Sequence, residues 1–127
     1  MRVYPDACVL IYLIEEHPDL HPRIDAAARA VPDLAFVLSE LLRLECRVRP
    51  MRQGNQELLE RFDRFFANPS HVYAPASRPV FNLATELRAQ HGLRTPDALH
   101  LATAIHAGCD EFWTNDRRLE KAADKIG

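Results

Sequence analysis

Four carboxylates, Asp6, Glu45, Asp97 and Asp116, each open or interrupt an otherwise apolar stretch of this chain. Carboxylates gathered in one place repel each other, so a cluster of them generally serves to hold a hard divalent cation. Asp6 closes Met1-Arg-Val-Tyr-Pro-Asp6 and precedes the apolar run Ala7–Ile14; Asp116 closes Phe112-Trp-Thr-Asn-Asp116. Both read as a carboxylate at the C-terminal end of a short strand, where open α/β sheets place their ligands. Oxygen donors without Cys or a zinc-type His pair favour Mg²⁺, with Mn²⁺ as the alternative, over Zn²⁺.

Each carboxylate also has a simpler explanation. Asp6 and Asp116 stand where a helix N-cap belongs. Asp97 follows Thr95-Pro96, with Thr95 suited to the cap, Pro96 to the first helical position and Asp97 to the dipole of the first turn. Glu45 is harder to dismiss. In the segment Ser39–Arg49, Leu41, Leu44 and Val48 recur at helical spacing, and Glu45 lies between them, on the stripe expected to face the core. A buried carboxylate needs a metal, a proton or an arginine partner. His100, one turn beyond Asp97, could face the same site, though a polar helix face is the expected place for it.

The elements that must position these residues follow from the punctuation. Short β-like runs occur at Val3–Tyr4, Leu34–Leu38, Val72–Ala74 and Glu111–Thr114. Helical patterns cover 7–15, 23–30, 39–49, 55–67, 80–91, 97–107 and 116–124, with Ser39 as a cap and Gly92 and Gly108 as stops. Pro50 and Pro96 are among the prolines expected between segments. Phe62, Phe65 and Phe66 read as a packing stripe rather than a base-stacking platform. Strands alternating with helices predict an α/β fold, a short and mostly parallel sheet between helical layers, with a helix pair inserted between the second and third strands.

The chain's 127 residues suit a single domain, 1–127. No run reaches the roughly 18 apolar residues of a membrane span, and Pro5 and Asp6 break any signal-peptide pattern. Three cysteines, Cys8, Cys46 and Cys109, form no CxxC pair and suggest buried free thiols in a reducing, cytoplasmic setting. A glycine-rich phosphate loop is absent, as the chain has only four glycines. The net charge of −2 hides an uneven distribution: positive charge is nearly all arginine, with Arg43, Arg47, Arg49 and Arg52 close together and Arg117 and Arg118 after the last strand. Arginine forks suit phosphate, though for any single one of them a solvated helix face is the readier explanation.

Four segments taken together resemble the PIN-domain nucleases, and among them the small toxin ribonucleases of toxin–antitoxin pairs, the VapC type. They are Val3-Tyr-Pro-Asp6-Ala-Cys-Val-Leu-Ile-Tyr-Leu, Ser39-Glu-Leu-Leu-Arg-Leu-Glu45-Cys-Arg-Val, Leu93-Arg-Thr-Pro-Asp97-Ala-Leu-His-Leu-Ala-Thr-Ala and Phe112-Trp-Thr-Asn-Asp116-Arg-Arg-Leu. The resemblance implies a three-layer α/β/α fold and a Mg²⁺-dependent endoribonuclease with Asp6, Glu45, Asp97 and Asp116 as metal-binding and catalytic residues. It also implies a homodimer, an RNA substrate and a cognate antitoxin that blocks the site. Where family members often carry Thr or Ser after the first Asp, this chain has Ala7. Thr114 and Asn115 stand near the last Asp, with Thr114 matching a small hydroxyl position. Two other readings remain: a non-catalytic RNA- or protein-binding module of the same fold, and a PIN nuclease of RNA maturation or DNA repair.

Overall fold

The computed structural model describes residues 1–126, apart from the side chains of 118 and 124–126. The elements run β1 (Arg2–Pro5), α1 (Ala7–Ile14), α2 (Leu20–Ala30), β2 (Ala35–Leu38), α3 (Glu40–Arg52), α4 (Gln56–Ala67), β3 (Val72–Tyr73), α5 (Arg78–His91), α6 (Thr95–His106), β4 (Glu111–Trp113) and α7 (Arg117–Ile126). The strands form one sheet in the order β3-β2-β1-β4. All three pairings are parallel, with Val3 opposite both Phe36 and Glu111, and Pro5 opposite Trp113. The sheet is therefore wholly rather than mostly parallel. Every crossover, and not only the second, is a pair of helices.

The strand order fixes the layers. The chain steps from β1 through β2 to β3 in one direction and then returns past β1 to lay down β4. Right-handed crossovers then put α1–α4 on one face and α5 and α6 on the other. The reversal falls between β1 and β4, and that crevice at the strand C-termini is the topological switch point, where α/β folds bind ligands.

The strands are short and almost fully buried: Val3, Tyr4, Val37 and Leu38 have no exposed surface. They join Leu10, Leu42, Cys46, Phe62 and Phe66 in the main core. A second cluster packs Val80, Ala84 and Leu87 of α5 on Ala98, Leu101 and Ala102 of α6 and Leu119 of α7. Phe62 and Phe66 are packed as expected, with Phe65 partly buried beside them.

Several local expectations are corrected. On α3 the buried residues are Leu42, Cys46 and Pro50, while Leu44 is 57% and Val48 41% exposed. The helix carries apolar residues on two faces, and α1 and α4 cover the face with the smaller ones. Pro50 lies inside α3, buried, rather than between elements. The cap of α6 is Arg94, one residue earlier than expected, which makes Thr95 and Pro96 the first two helical positions. Gly92 ends α5 with φ of +65°, the left-handed conformation that a stop of this kind requires. Cys46 is buried and Cys109 half-buried, but Cys8 is exposed, and all three are free thiols. Among the described residues no helix is long and apolar enough to cross a membrane.

Candidate active site

Asp6 follows the last residue of β1 and starts α1. Its backbone N–H donates to the Trp113 carbonyl at 2.9 Å, which extends the β1–β4 ladder by one step. One carboxylate oxygen, Oδ1, accepts the Val9 N–H at 3.1 Å and so caps α1. The other, Oδ2, accepts the hydroxyl proton of Thr114. Asp6 is only 6% exposed. Burial raises its pKa above the usual 3.8; the bonds from Thr114 and Val9 oppose this, and the charge of Asp97 adds to it.

Thr114 follows β4 directly. Its Oγ1 also accepts the Asp116 N–H at 3.0 Å. One hydroxyl thus links the carboxylates that end two neighbouring strands. Asp116 in turn caps α7, with Leu119 N–H 3.4 Å from its Oδ1. Asn115 is exposed and lines an open groove of about 800 Å³ that runs from Tyr12 and Ile24 past Trp113 and Thr114.

Glu45 reaches the same rim from α3. The true inward face of that helix is Leu42 and Cys46, and Glu45 lies at its flank, half-buried. Its Oε1 accepts from His100 Nε2. His100 is 3% exposed and not on a polar face, which corrects the sequence expectation. The other ring nitrogen, Nδ1, is 2.6 Å from the Tyr4 hydroxyl, which is 2.8 Å from Ser39 Oγ. Ser39 caps α3 as expected by accepting the Leu42 N–H at 3.2 Å. Burial raises the Tyr4 pKa, with Glu45 and Asp6 adding to the effect, so its hydroxyl keeps its proton. Tyr4 was not singled out from sequence, yet the period-2 alternation of a strand puts it on the same side as Asp6. His100 sits three residues after Asp97, one helical turn away.

Asp97 occupies the first turn of α6 and pairs with Arg94 Nε at 3.1 Å. That bond, with the nearby negative charge, raises the Arg94 pKa; Asp116 and Glu45 contribute after Asp97. Cys8, two residues from Asp6, is raised first by burial and then by Asp6, Asp116 and Glu45. The charge of Asp97 therefore reaches Asp6, and those of Glu45 and Asp116 reach both Cys8 beside Asp6 and Arg94 beside Asp97. The helix-cap explanations hold as well for Asp6 and Asp116, since each caps its helix. Among the described residues no three acidic, His or Cys side chains stand as a ready-made metal cage. The reason is visible in their partners: Asp6 is turned to Thr114, Glu45 to His100 and Asp97 to Arg94.

The donor chemistry fits a hard cation. Asp6, Glu45, Asp97, Asp116 and Thr114 offer oxygen alone, and Asp6 is a desolvated carboxylate with no Lys or Arg on it among the described residues. The arginine group on α3 does not serve the rim. Arg47 Nε is 2.8 Å from Asp63 of α4, Arg43 is 3.8 Å from the same carboxylate, and Arg49 pairs with Glu15 at the end of α1. Arg52 and Arg117 are exposed, and the side chain of Arg118 lies outside the described residues.

The family model of the PIN domain matches residues 3–125. No curated protein sequence matches the chain. Among solved structures the chain is similar to Mycobacterium tuberculosis VapC20, described as a sarcin-ricin loop cleaving toxin, at 13% identity, with 94% of each chain covered and a TM-score of 0.79. It is similar to VapBC2 from Rickettsia felis, solved bound to a DNA fragment from its promoter, at 19% identity, covering 96% of this chain and 93% of that one with a TM-score of 0.73. FitAcB from Neisseria gonorrhoeae gives 20% identity, 96% and 93% coverage and a TM-score of 0.72. At these identities the structural likeness concerns the fold.

Proposed function

The chain belongs to the PIN domain family, and from that premise we propose that it is a Mg²⁺-dependent endoribonuclease of the VapC type, the toxin of a toxin–antitoxin pair acting in the cytoplasm. The observation that carries this reading is the Asp6–Thr114–Asp116 junction at the switch point of the sheet, with Glu45 and Asp97 on the same rim. The solved relatives, described as toxins or toxin–antitoxin assemblies, support it.

Asp6, Asp97, Asp116 and Glu45 would hold Mg²⁺, or Mn²⁺ in its place. When bound there, the metal supplies charge neutralisation and a lowered pKa for water near neutral pH. The residues do the rest. Asp6 is fixed at both oxygens, by Val9 and Thr114, so its orientation is set before anything binds. Glu45, held by His100, would orient the attacking water. Arg94, the cap of α6, and Arg117, the first residue of α7, are both exposed and would meet phosphate oxygens. Cleavage by water in line with the leaving 3′ oxygen gives 5′-phosphate and 3′-hydroxyl ends.

Partners follow from the same reading. The protein pairs with a second copy, so that two acidic rims face one RNA, and with an antitoxin that covers the rim. An exposed row on α3, Leu44, Val48 and Met51, is available to such contacts.

The test is incubation of the purified protein with total RNA, with Mg²⁺ or with chelator, followed by mapping of the cut ends. Cleavage that needs metal, leaves 5′-phosphates and disappears in Asp6→Asn is the expected result. Metal-independent cuts with 2′,3′-cyclic ends would exclude this chemistry. RNA binding without cutting would favour a non-catalytic module. Cuts confined to precursor RNAs would favour a maturation nuclease.

A further inference from the structure

The hydrogen-bond chain that ends on Glu45 has a direction. Ser39 Oγ already accepts the Leu42 N–H, so its own proton is available to the Tyr4 oxygen. Tyr4 then has one proton to give, and His100 Nδ1 stands 2.6 Å from it. With Nδ1 accepting, Nε2 carries the ring proton and donates it to the Glu45 carboxylate, which can only accept. In the reverse direction Nδ1 would donate to Tyr4 and Tyr4 to Ser39. The Ser39 proton would then find no acceptor among the described residues. Only the first direction satisfies every member.

The network is also rigid. Tyr4, Ser39 and His100 are all buried. Tyr4 stacks on Phe112 with ring centroids 5.6 Å apart and planes 5° from parallel, and the centroid of the His100 ring also lies 5.6 Å from that of Tyr4, tilted by 52°. It joins three elements that each bring a carboxylate to the rim: β1 leads to Asp6, α3 carries Glu45 and α6 carries Asp97. Glu45 would otherwise swing on three side-chain torsions. A buried ring with one donor atom aimed at it removes that freedom.

We propose that His100 is a positioning residue for Glu45, its ring tautomer set by Tyr4 and Ser39. Its consequence for cleavage rests on the nuclease reading above; the tautomer rests on the geometry alone.

Two measurements test this. The first is long-range ¹H–¹⁵N correlation of the imidazole rings in metal-free protein, which needs no activity. His100 should carry its proton on Nε2 in the wild type, and Tyr4→Phe, which keeps the ring and its packing, should mix the tautomers. A wild-type ring with a proton on Nδ1 overturns the proposal. The second is RNA cleavage with Mg²⁺ by Tyr4→Phe, His100→Ala and His100→Gln. Removing a partner that orients a metal-site carboxylate lowers activity by about 10- to 100-fold. That loss should fall in kcat, with KM for RNA changing by less than about twofold. His100→Gln, which keeps an N–H near the Nε2 position, should recover much of what His100→Ala loses. A rise in KM with kcat unchanged, or equal losses in the two His100 variants, overturns the role. Should the wild type cleave no RNA, the nuclease reading falls, and the ring spectra still decide the tautomer.

Discussion

Thr114 stands between Asp6 and Asp116, giving its hydroxyl proton to the first and taking the backbone N–H of the second at 3.0 Å. The two strands that this hydroxyl joins are paired in the sheet, Pro5 opposite Trp113, so the junction continues their ladder beyond its last backbone bond. Ala7 carries no hydroxyl beside Asp6. The hydroxyl that touches the Asp6 carboxylate comes instead from the neighbouring strand.

Thr114→Val keeps the β-branched shape and removes both bonds. Leaving the partly buried partners unpaired is expected to destabilise the fold by about 1–2 kcal/mol. Urea unfolding should show a lower midpoint at an unchanged slope. A variant as stable as the wild type would mean that water replaces the hydroxyl at no loss.

Asp6 predicts an unusual pH dependence in metal-free protein. Its pKa is raised on folding, so the folded state binds this proton more tightly than the unfolded chain does. The stability it contributes is complete below the ordinary value of 3.8 and is lost as pH rises through the higher folded value. Asp6→Asn keeps an oxygen to cap Val9 and abolishes this slope. The melting temperature of the variant relative to the wild type should therefore be higher at pH 7 than at pH values near the ordinary carboxyl range. The opposite trend would show that Thr114 and Val9 outweigh desolvation.

Metal should stabilise the wild type. A ligand present at a hundred times its dissociation constant adds about 2.7 kcal/mol. Differential scanning with Mn²⁺ should raise the melting temperature, chelator should reverse it, and Asp6→Asn and Asp116→Asn should lose most of the rise. An equal rise in all three proteins would place the cation elsewhere.

Arg94 competes for Asp97. Asp97 is half-buried, but the Arg94 side chain is 73% accessible, so solvent screens the pair and leaves it weak. Arg94→Ala should then tighten Mn²⁺ binding by no more than about fivefold. If Arg94 also meets RNA, the same variant should raise KM. Unchanged values of both would remove Arg94 from the site.

The sequence carried the architecture because strands, turns and helix caps are local. Four short runs, Ser39 and Gly92 announced most of the element order without any tertiary information. The failures came where two faces of one element had equal local claims. On α3, Leu41, Leu44 and Val48 make as good a stripe as Leu42, Cys46 and Pro50, and only the docking of α1 and α4 decides between them. Glu45 ended half-buried from either side of that choice, because it flanks the face that is truly covered. His100 was misplaced for a related reason. Its burial depends on Tyr4 and Glu45, which are 96 and 55 residues away in the chain, and no local pattern signals such a partner. The carboxylate partners of Arg43, Arg47 and Arg49 were hidden for the same reason, since Asp63 comes from α4 and Glu15 from the end of α1.

Asp6 and Thr114 are separated by 108 positions, and their strands touch only because the last one slots in beside the first. Six helices lie between them in the chain. Until β4 docks, β1 has an open flank and the acidic junction does not exist. Whatever chemistry the rim performs therefore depends on a pairing of high sequence separation, the kind whose loop-closure entropy must be met before any contact rewards it.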